Sequence, residues 1–135
     1  MVENTKPVFV VDASFVLAFL LPDEQTIRVD SAFDRYARRE IDFLSTQLLP
    51  FEVLNSIKTA ILRNRLKKDL ASQLVKKFFN YRIHLESIDF EKAFMLAQKQ
   101  NLTVYDASYV VLAQTMQIPL FTLDKQLQKL IKITR

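Results

Sequence analysis

Three aspartates lie where a chain of alternating strands and helices would place reactive groups. Asp12 follows the apolar run 8–11, Asp124 follows the apolar run 119–122, and Asp106 starts a predicted helix. Each alone is explained well as a helix N-cap, because aspartate accepts a backbone N–H and complements the helix dipole. Three such acids at one edge of a sheet would converge in space, which caps alone do not require.

Glu52 is the fourth candidate acid. It belongs to a polar stripe on a predicted helix, with Asn55, Ser56, Thr59 and Arg63 at helical spacing. A solvated helix face explains that stripe from spacing alone, but its small neutral residues also suit a groove. Clustered carboxylates repel one another and need a cation, and oxygen ligands without nitrogen or sulfur favour Mg²⁺ or Mn²⁺. Such ions activate water for hydrolysis of phosphate esters.

The elements that must position these acids alternate along the chain. Strands are predicted at 8–11, 41–44, 83–88 and 119–122. Helices are predicted at 13–21, 25–39, about 48–65, 70–80, 90–100, 106–116 and 125–131. This order predicts an α/β fold with a parallel sheet and helices on both faces. In such sheets the functional crevice lies at the carboxyl ends of the strands, where the aspartates are expected.

Composition excludes several other chemistries. The 135 residues, half of them hydrophobic, predict a single domain over 1–135. The sequence has no cysteine, no glycine and one histidine, which removes zinc–thiolate sites, phosphate-binding glycine loops and sites with two histidines. The net charge of +4 suggests a polyanionic partner. A strongly basic segment between Val53 and Leu85 is most commonly a solvated surface, but it follows the Glu52 helix and could also hold a phosphate backbone. No apolar run is long enough for a membrane span and no secretory signal is visible, so a cytoplasmic protein is expected.

Four short motifs, in order along the whole chain, resemble the PIN-domain ribonucleases and, more narrowly, the VapC-type toxins of toxin–antitoxin pairs. They are Val11-Asp12-Ala13-Ser14, Pro50-Phe51-Glu52-Val53-Leu54-Asn55, Tyr105-Asp106-Ala107-Ser108-Tyr109 and Thr122-Leu123-Asp124. The resemblance implies a three-layer α/β/α sandwich and an endoribonuclease that depends on Mg²⁺ or Mn²⁺. It also implies a homodimer that is neutralised by a small cognate antitoxin protein.

The resemblance also assigns residues by position. It makes Asp12, Glu52, Asp106 and Asp124 the metal-binding and catalytic acids. Ser14 and Thr122 match small hydroxyl positions that orient these carboxylates. Asn55 and Arg63 match polar positions that support the site or contact substrate. In this hypothesis the three aspartates hold the ion, and Glu52 completes its ligands or polarises the attacking water.

Two other functions stay open at this point. One is an inactive PIN-like module that binds RNA or a protein without cutting, and the other is a phosphoacceptor receiver domain. The second would want a pair of acids near the first strand, whereas only Asp12 is found there. No aromatic row indicates base stacking.

The chain departs from the family in its helix-ending turns, where Asn64, Asn101 and Gln117 stand in place of glycine. Asparagine tolerates the left-handed conformation, whereas Gln117 is less well suited to it.

Overall fold

The computed structural model describes residues 5–134, with side chains described through residue 131. The strands are β1 (Val8–Val11), β2 (Asp42–Thr46), β3 (His84–Glu86) and β4 (Leu120–Phe121). The helices are α1 (Ala13–Leu20), α2 (Ile27–Ala37), α3 (Leu49–Leu62), α4 (Lys68–Asn80), α5 (Phe90–Gln100), α6 (Val104–Met116) and α7 (Lys125–Thr134). They flank one sheet, which confirms the predicted three-layer α/β/α sandwich.

The sheet is parallel and has the strand order β3-β2-β1-β4. Val10 lies at its centre, paired with Leu44 of β2 on one side and Leu120 of β4 on the other. Val10 and Val11 are fully buried, as expected of a parallel strand covered on both faces. The chain builds outward from β1 through β2 to β3, and then returns to place β4 on the opposite side of β1. The carboxyl ends of β1 and β4 therefore form a topological switch point, the usual place of a functional crevice.

The boundary of α6 differs from the prediction. The helix begins at Val104 rather than Asp106, because the hydroxyl of Thr103 accepts the Asp106 N–H at 3.0 Å and serves as the N-cap. Asp106 therefore lies within the first turn and does not cap the helix. The other predicted elements are all present, with ends within three residues of those expected.

An aromatic cluster fixes the first two helices to the sheet. Phe15 of α1 stacks on Phe33 of α2 with ring centroids 5.9 Å apart, and Phe33 meets Phe43 of β2 edge-on at 5.0 Å. All three side chains are at most 2% exposed. Burying each ring contributes roughly 1.5–3 kcal/mol relative to leaving it in water. This cluster holds the start of α1, and hence Asp12, in a fixed place above the sheet.

Five helix-ending turns use the left-handed conformation without glycine, and three of them are the turns singled out in the sequence. Asn64, Asn101 and Gln117 have φ angles of 59°, 53° and 56°. Asn101 and Gln117 are the C-caps of α5 and α6, and their backbone N–H groups bond to carbonyls of the preceding turn. Asparagine adopts this region at little cost, but glutamine has no short side chain to support it. The turn at Gln117 is therefore strained, as are the turns at Arg39 and Arg82, whose φ angles are 62° and 50°.

We expect Gln117→Gly to raise the free energy of unfolding by about 0.5–1 kcal/mol. Glycine removes the cost of roughly 1–2 kcal/mol that other residues have in the left-handed conformation. It also gives the unfolded chain more conformational freedom, which offsets part of this gain. Urea unfolding measures the change. Gln114→Gly, the same substitution one turn earlier in α6, is the matched control and should destabilise by about 1 kcal/mol. A Gln117→Gly protein less stable than the native one would contradict the assignment of strain.

Candidate active site

Asp12 occupies the junction between β1 and α1. Its backbone is extended, and its carboxylate Oδ1 accepts the Phe15 N–H at 2.9 Å, which caps α1. The same oxygen accepts the Ser14 hydroxyl at 2.7 Å, and Oδ2 accepts the hydroxyl of Thr122. The residue is only 3% exposed. Asp12 is thus a helix cap, as its position alone suggested, and also the centre of a buried hydrogen-bond network.

Ser14 and Thr122 join the ends of β1 and β4 across the switch point. The Leu123 N–H donates to Ser14 Oγ at 3.0 Å, and the Asp124 N–H donates to Thr122 Oγ1 at 3.0 Å. Asp124 in turn caps α7, because its Oδ1 accepts the Leu127 N–H at 3.1 Å. Each hydroxyl therefore receives a backbone N–H from the β4–α7 turn while donating to Asp12. This places Asp12 and Asp124 at one edge of the sheet, as their positions after parallel strands predicted.

Glu52 is held by a tyrosine from a different helix. It lies in the first turn of α3, and Tyr109 of α6 donates its hydroxyl to Glu52 Oε1 at 2.5 Å. Tyr109 is 1% exposed whereas Glu52 is partly exposed, so the tyrosine reaches the glutamate from inside the protein. Sequence reasoning assigned Tyr109 no role. The available signal was its spacing of three residues from Asp106, which puts both side chains on one face of α6.

Asp106 brings the four acids into one electrostatic group. Burial, and then the negative charge of Asp124, raises the pKa of Asp106. Burial also raises the pKa of Glu52, although the hydrogen bond from Tyr109 lowers it in part. The negative charges of Asp106 and Asp12 add to the increase. The pKa of Asp12 is raised by burial more than its hydrogen bonds lower it, and Asp106 contributes further. Each of these three carboxylates therefore has a pKa above its ordinary value, mainly because it is buried and further because negative charges lie nearby.

Among the described residues, no lysine, arginine or histidine forms an ion pair with this group. Every ion pair within the described part of the chain involves other acids. Desolvated carboxylate oxygens without a basic partner are the donor set that a hard divalent cation prefers. The positions of the acids fit an ion less closely than their chemistry does. Among the described residues, no group of three or more His, Asp or Glu side chains lies close enough together to hold one. The acids fit such an ion by chemistry, and their side chains would have to close around it.

The raised pKa values predict how stability depends on pH when no metal is present. A carboxyl group with a raised pKa in the folded state stabilises the protein fully below its unfolded pKa, about 4, and loses that contribution as pH rises through the folded pKa. In EDTA, the free energy of unfolding of the native protein should therefore fall more steeply from pH 4 towards neutrality than that of Asp106→Asn. Urea unfolding at several pH values tests this, with Glu91→Gln as an exposed control. A steeper fall in Asp106→Asn would contradict it.

Two predicted supporting residues lie on α3 at different distances from the acids. Asn55 is exposed and lines a groove together with Glu52. Arg63 is the C-cap of α3, and with a rise of about 1.5 Å per residue it lies roughly 16 Å along the helix from Glu52. Arg63 therefore does not contact the acids. The prediction that it contacts substrate remains, but only for a part of the substrate far from the acids.

The basic segment does not assemble beside the acids. Arg65 pairs with Asp23 and Glu24, its terminal nitrogen lying 2.8 Å from the Glu24 carboxylate. Lys77 lies 4.4 Å above the Phe19 ring. Of the basic residues predicted to hold a phosphate backbone, Lys58 is the one that lines the groove containing Glu52. The charge excess that looks continuous in the sequence is thus divided among separate surfaces.

Comparison with known proteins decides the family. The family model described as "PIN domain" matches residues 9–133, which include all four acids. The chain belongs to the PIN-domain family. Within it, Ribonuclease VapC3 of Pyrobaculum aerophilum is 34% identical over 122 residues, covering 87% of this chain and 90% of that protein. This confirms the resemblance to VapC-type PIN domains that the four motifs predicted.

Solved structures agree with this PIN fold. The crystal structure of PAE2754 from Pyrobaculum aerophilum matches with a TM-score of 0.71 and 23% identity, over 90% of this chain and 77% of that one. Mycobacterium tuberculosis VapC20, titled a sarcin–ricin loop cleaving toxin, matches with a TM-score of 0.60 and 15% identity, over 87% and 90%. At these identities the likeness supports the PIN fold alone. No helix in residues 5–134 is long and apolar enough to cross a membrane.

Proposed function

We propose that this PIN domain is an endoribonuclease that requires Mg²⁺ or Mn²⁺ and acts as the toxin of a VapBC-type toxin–antitoxin pair. The observation that supports the proposal is a group of four acids near the switch point of the sheet that forms no ion pair with any described basic residue. It occurs in a chain 34% identical to Ribonuclease VapC3. The 15% identity to VapC20 is too low for that protein's RNA target to be transferred to this chain.

In this proposal each acid has a defined task. Asp12, Asp106 and Asp124 would hold the divalent ion. When bound, such an ion lowers the pKa of water and stabilises negative charge on a phosphoryl group. Glu52 accepts the proton of the attacking water, a task favoured by its raised pKa. Tyr109 occupies Oε1 of Glu52 by donating to it, and thereby fixes the direction in which the other oxygen can act.

The surrounding residues keep this arrangement in place. Ser14 and Thr122 fix Asp12 through hydrogen bonds, so its carboxylate cannot rotate away from the edge of the sheet. The pKa of Tyr109 is raised far above its ordinary value by burial and by Glu52. Its hydroxyl therefore stays protonated and remains a donor. A carboxylate fixed in this way would hold a divalent ion in one place, so that the ion's positive charge could meet the negative charge of the transition state with little reorganisation.

Assembly and regulation belong to the same proposal. Helix α5 exposes Phe90 and Phe94 on one face, with Met95 beside them, at 60%, 54% and 67%. Apolar side chains at this exposure support a homodimer, or the docking of an antitoxin, at α5. Light scattering of the purified chain, alone and with the product of an adjacent small gene, tests both. A cytoplasmic location and a single domain over 1–135 remain predictions.

The experiment that tests the activity is incubation of purified protein with a mixed tRNA and rRNA pool in Mn²⁺, in Mg²⁺ and in EDTA. Fragments that form only with a divalent ion would support the proposal. One observation favours the alternative of a binding module that does not cut: the described acids are not drawn together as they stand. RNA binding that persists in EDTA, with no cleavage in either ion by folded protein, would establish that alternative.

A further inference from the structure

A groove beside the acids has a composition that the proposed chemistry does not use. It has a volume of about 690 Å³ and lies between the first turns of α3 and α6. Phe51, Asn55 and Lys58 line it from α3, and Tyr105 lines it from α6. Glu52 forms part of its wall, so the groove opens directly onto the acidic site. We call it the α3/α6 groove.

Two aromatic rings in this groove are left uncovered by the protein. Phe51 is 72% exposed and Tyr105 is 51% exposed. Both rings line the groove whose wall includes Glu52, so each lies near that acid. Aromatic side chains left in water next to a reactive site offer flat apolar faces, and a nucleic-acid base can stack on such a face.

The polar residues of the groove complete the match to a nucleotide. Phe51, Asn55 and Lys58 are spaced four and three residues apart and therefore share one face of α3. The Asn55 amide offers donors and an acceptor for the edge of a base. Lys58 supplies a positive charge for a phosphate. An aliphatic side chain from a protein partner would use the rings but leave Asn55 and Lys58 without partners.

We propose that the α3/α6 groove binds one unpaired nucleotide next to the scissile phosphate, its base stacked on Phe51 and Tyr105. This inference rests on the proposed ribonuclease function and adds a specificity-determining subsite to it. Since a base inside a duplex cannot stack on a protein ring, the subsite selects single-stranded or looped RNA. The sequence does not reveal the subsite, because its two rings come from different helices and form no row along the chain.

Fluorescence of a single tryptophan tests the stacking directly. The chain contains no tryptophan, so Phe51→Trp introduces one reporter into the groove. Phe79→Trp, at a position 50% exposed on α4, is the matched control. In EDTA, a 12-nucleotide oligoadenylate should quench Phe51→Trp, whereas an abasic oligomer with the same backbone should quench it much less. Phe79→Trp should respond to neither. Equal responses of Phe51→Trp to both oligomers, or none, would overturn the proposal.

Affinity measurements supply the second readout. Phe51→Ala and Tyr105→Ala should each weaken binding of the oligoadenylate about five- to 150-fold, whereas Phe51→Tyr should retain it. Both alanine variants should bind the abasic oligomer as the native protein does. Unchanged affinity for the oligoadenylate in both alanine variants would overturn the proposal and favour a protein side chain as the occupant of the groove. Binding is measured in EDTA, so this result does not depend on cleavage. The ribonuclease proposal fails separately, if the native protein does not cleave RNA in Mn²⁺.

Discussion

Asp106→Asn should cut RNA about 100- to 1000-fold more slowly than the native protein while unfolding at the same or a slightly higher urea concentration. The rate falls because one of the negative charges that would hold the divalent ion is lost, and losing one electrostatic contribution to a reaction typically costs this much. Stability does not fall, because the Asp106 carboxylate neither caps α6 nor pairs with a cation among the described residues. Its burial next to Asp124 instead raises its pKa and opposes folding when it is charged.

Single-turnover cleavage and urea unfolding, run on the same preparations, measure the two halves of this prediction. Glu91→Gln, which removes an exposed acid from the first turn of α5, is the control and should match the native protein in both. Asp106→Asn protein with the native cleavage rate would remove Asp106 from the reaction. Low activity accompanied by a large loss of stability would instead make Asp106 a structural residue.

Asp12 should behave differently, because it combines a structural and a chemical role. Asp12→Ala removes the acceptor for the Phe15 N–H and for the hydroxyls of Ser14 and Thr122. Loss of a helix cap costs about 1 kcal/mol, and buried donors left without an acceptor cost roughly 1–3 kcal/mol. Relief of a desolvated charge offsets part of this cost. We expect Asp12→Ala to lower the free energy of unfolding by about 2–3 kcal/mol and to abolish cleavage.

Asp12→Asn separates the two roles of Asp12. Its amide oxygen still accepts the Phe15 N–H, and its amide nitrogen can donate to Thr122 if that hydroxyl turns. We expect stability within about 1 kcal/mol of the native protein, since a buried hydrogen bond is replaced rather than lost. Cleavage should nevertheless fall as in Asp106→Asn, because the charge is gone. Equal destabilisation by Asn and Ala would show that the charge of Asp12, rather than its hydrogen bonds, holds the switch point together.

The positions of Asp12 and Asp124 could be predicted because they depend on the sheet alone. Residues that follow parallel strands meet at one edge, and the hydrophobic runs marked where those strands end. Asp106 was placed correctly beside that edge, but for the wrong local reason. The seven residues 104–110 match residues 10–16 at five positions. Only in segment 10–16 does the aspartate cap the helix that follows it. Thr103, just outside the repeat, takes the capping role in α6.

The contacts between helices could not be predicted in the same way. The bond from Tyr109 to Glu52, and the groove shared by Phe51 and Tyr105, depend on how α6 packs beside α3. The basic segment failed as a guide for the same reason. Arg65 is drawn to Asp23 and Glu24 by the tertiary structure, and charge counted along the chain does not contain that information.

The proposed activity is hydrolysis of RNA by water at a site that needs a divalent ion. The most direct measurement uses an RNA that the protein cuts, resynthesised with a single 2′-deoxynucleotide at the cleaved position. Because water rather than the neighbouring 2′-hydroxyl attacks the phosphate, the deoxy-substituted RNA should be cut in Mn²⁺ at close to the rate of the parent RNA. Neither RNA should be cut in EDTA. Cleavage that persists in EDTA and is blocked by the 2′-deoxy substitution would contradict the account.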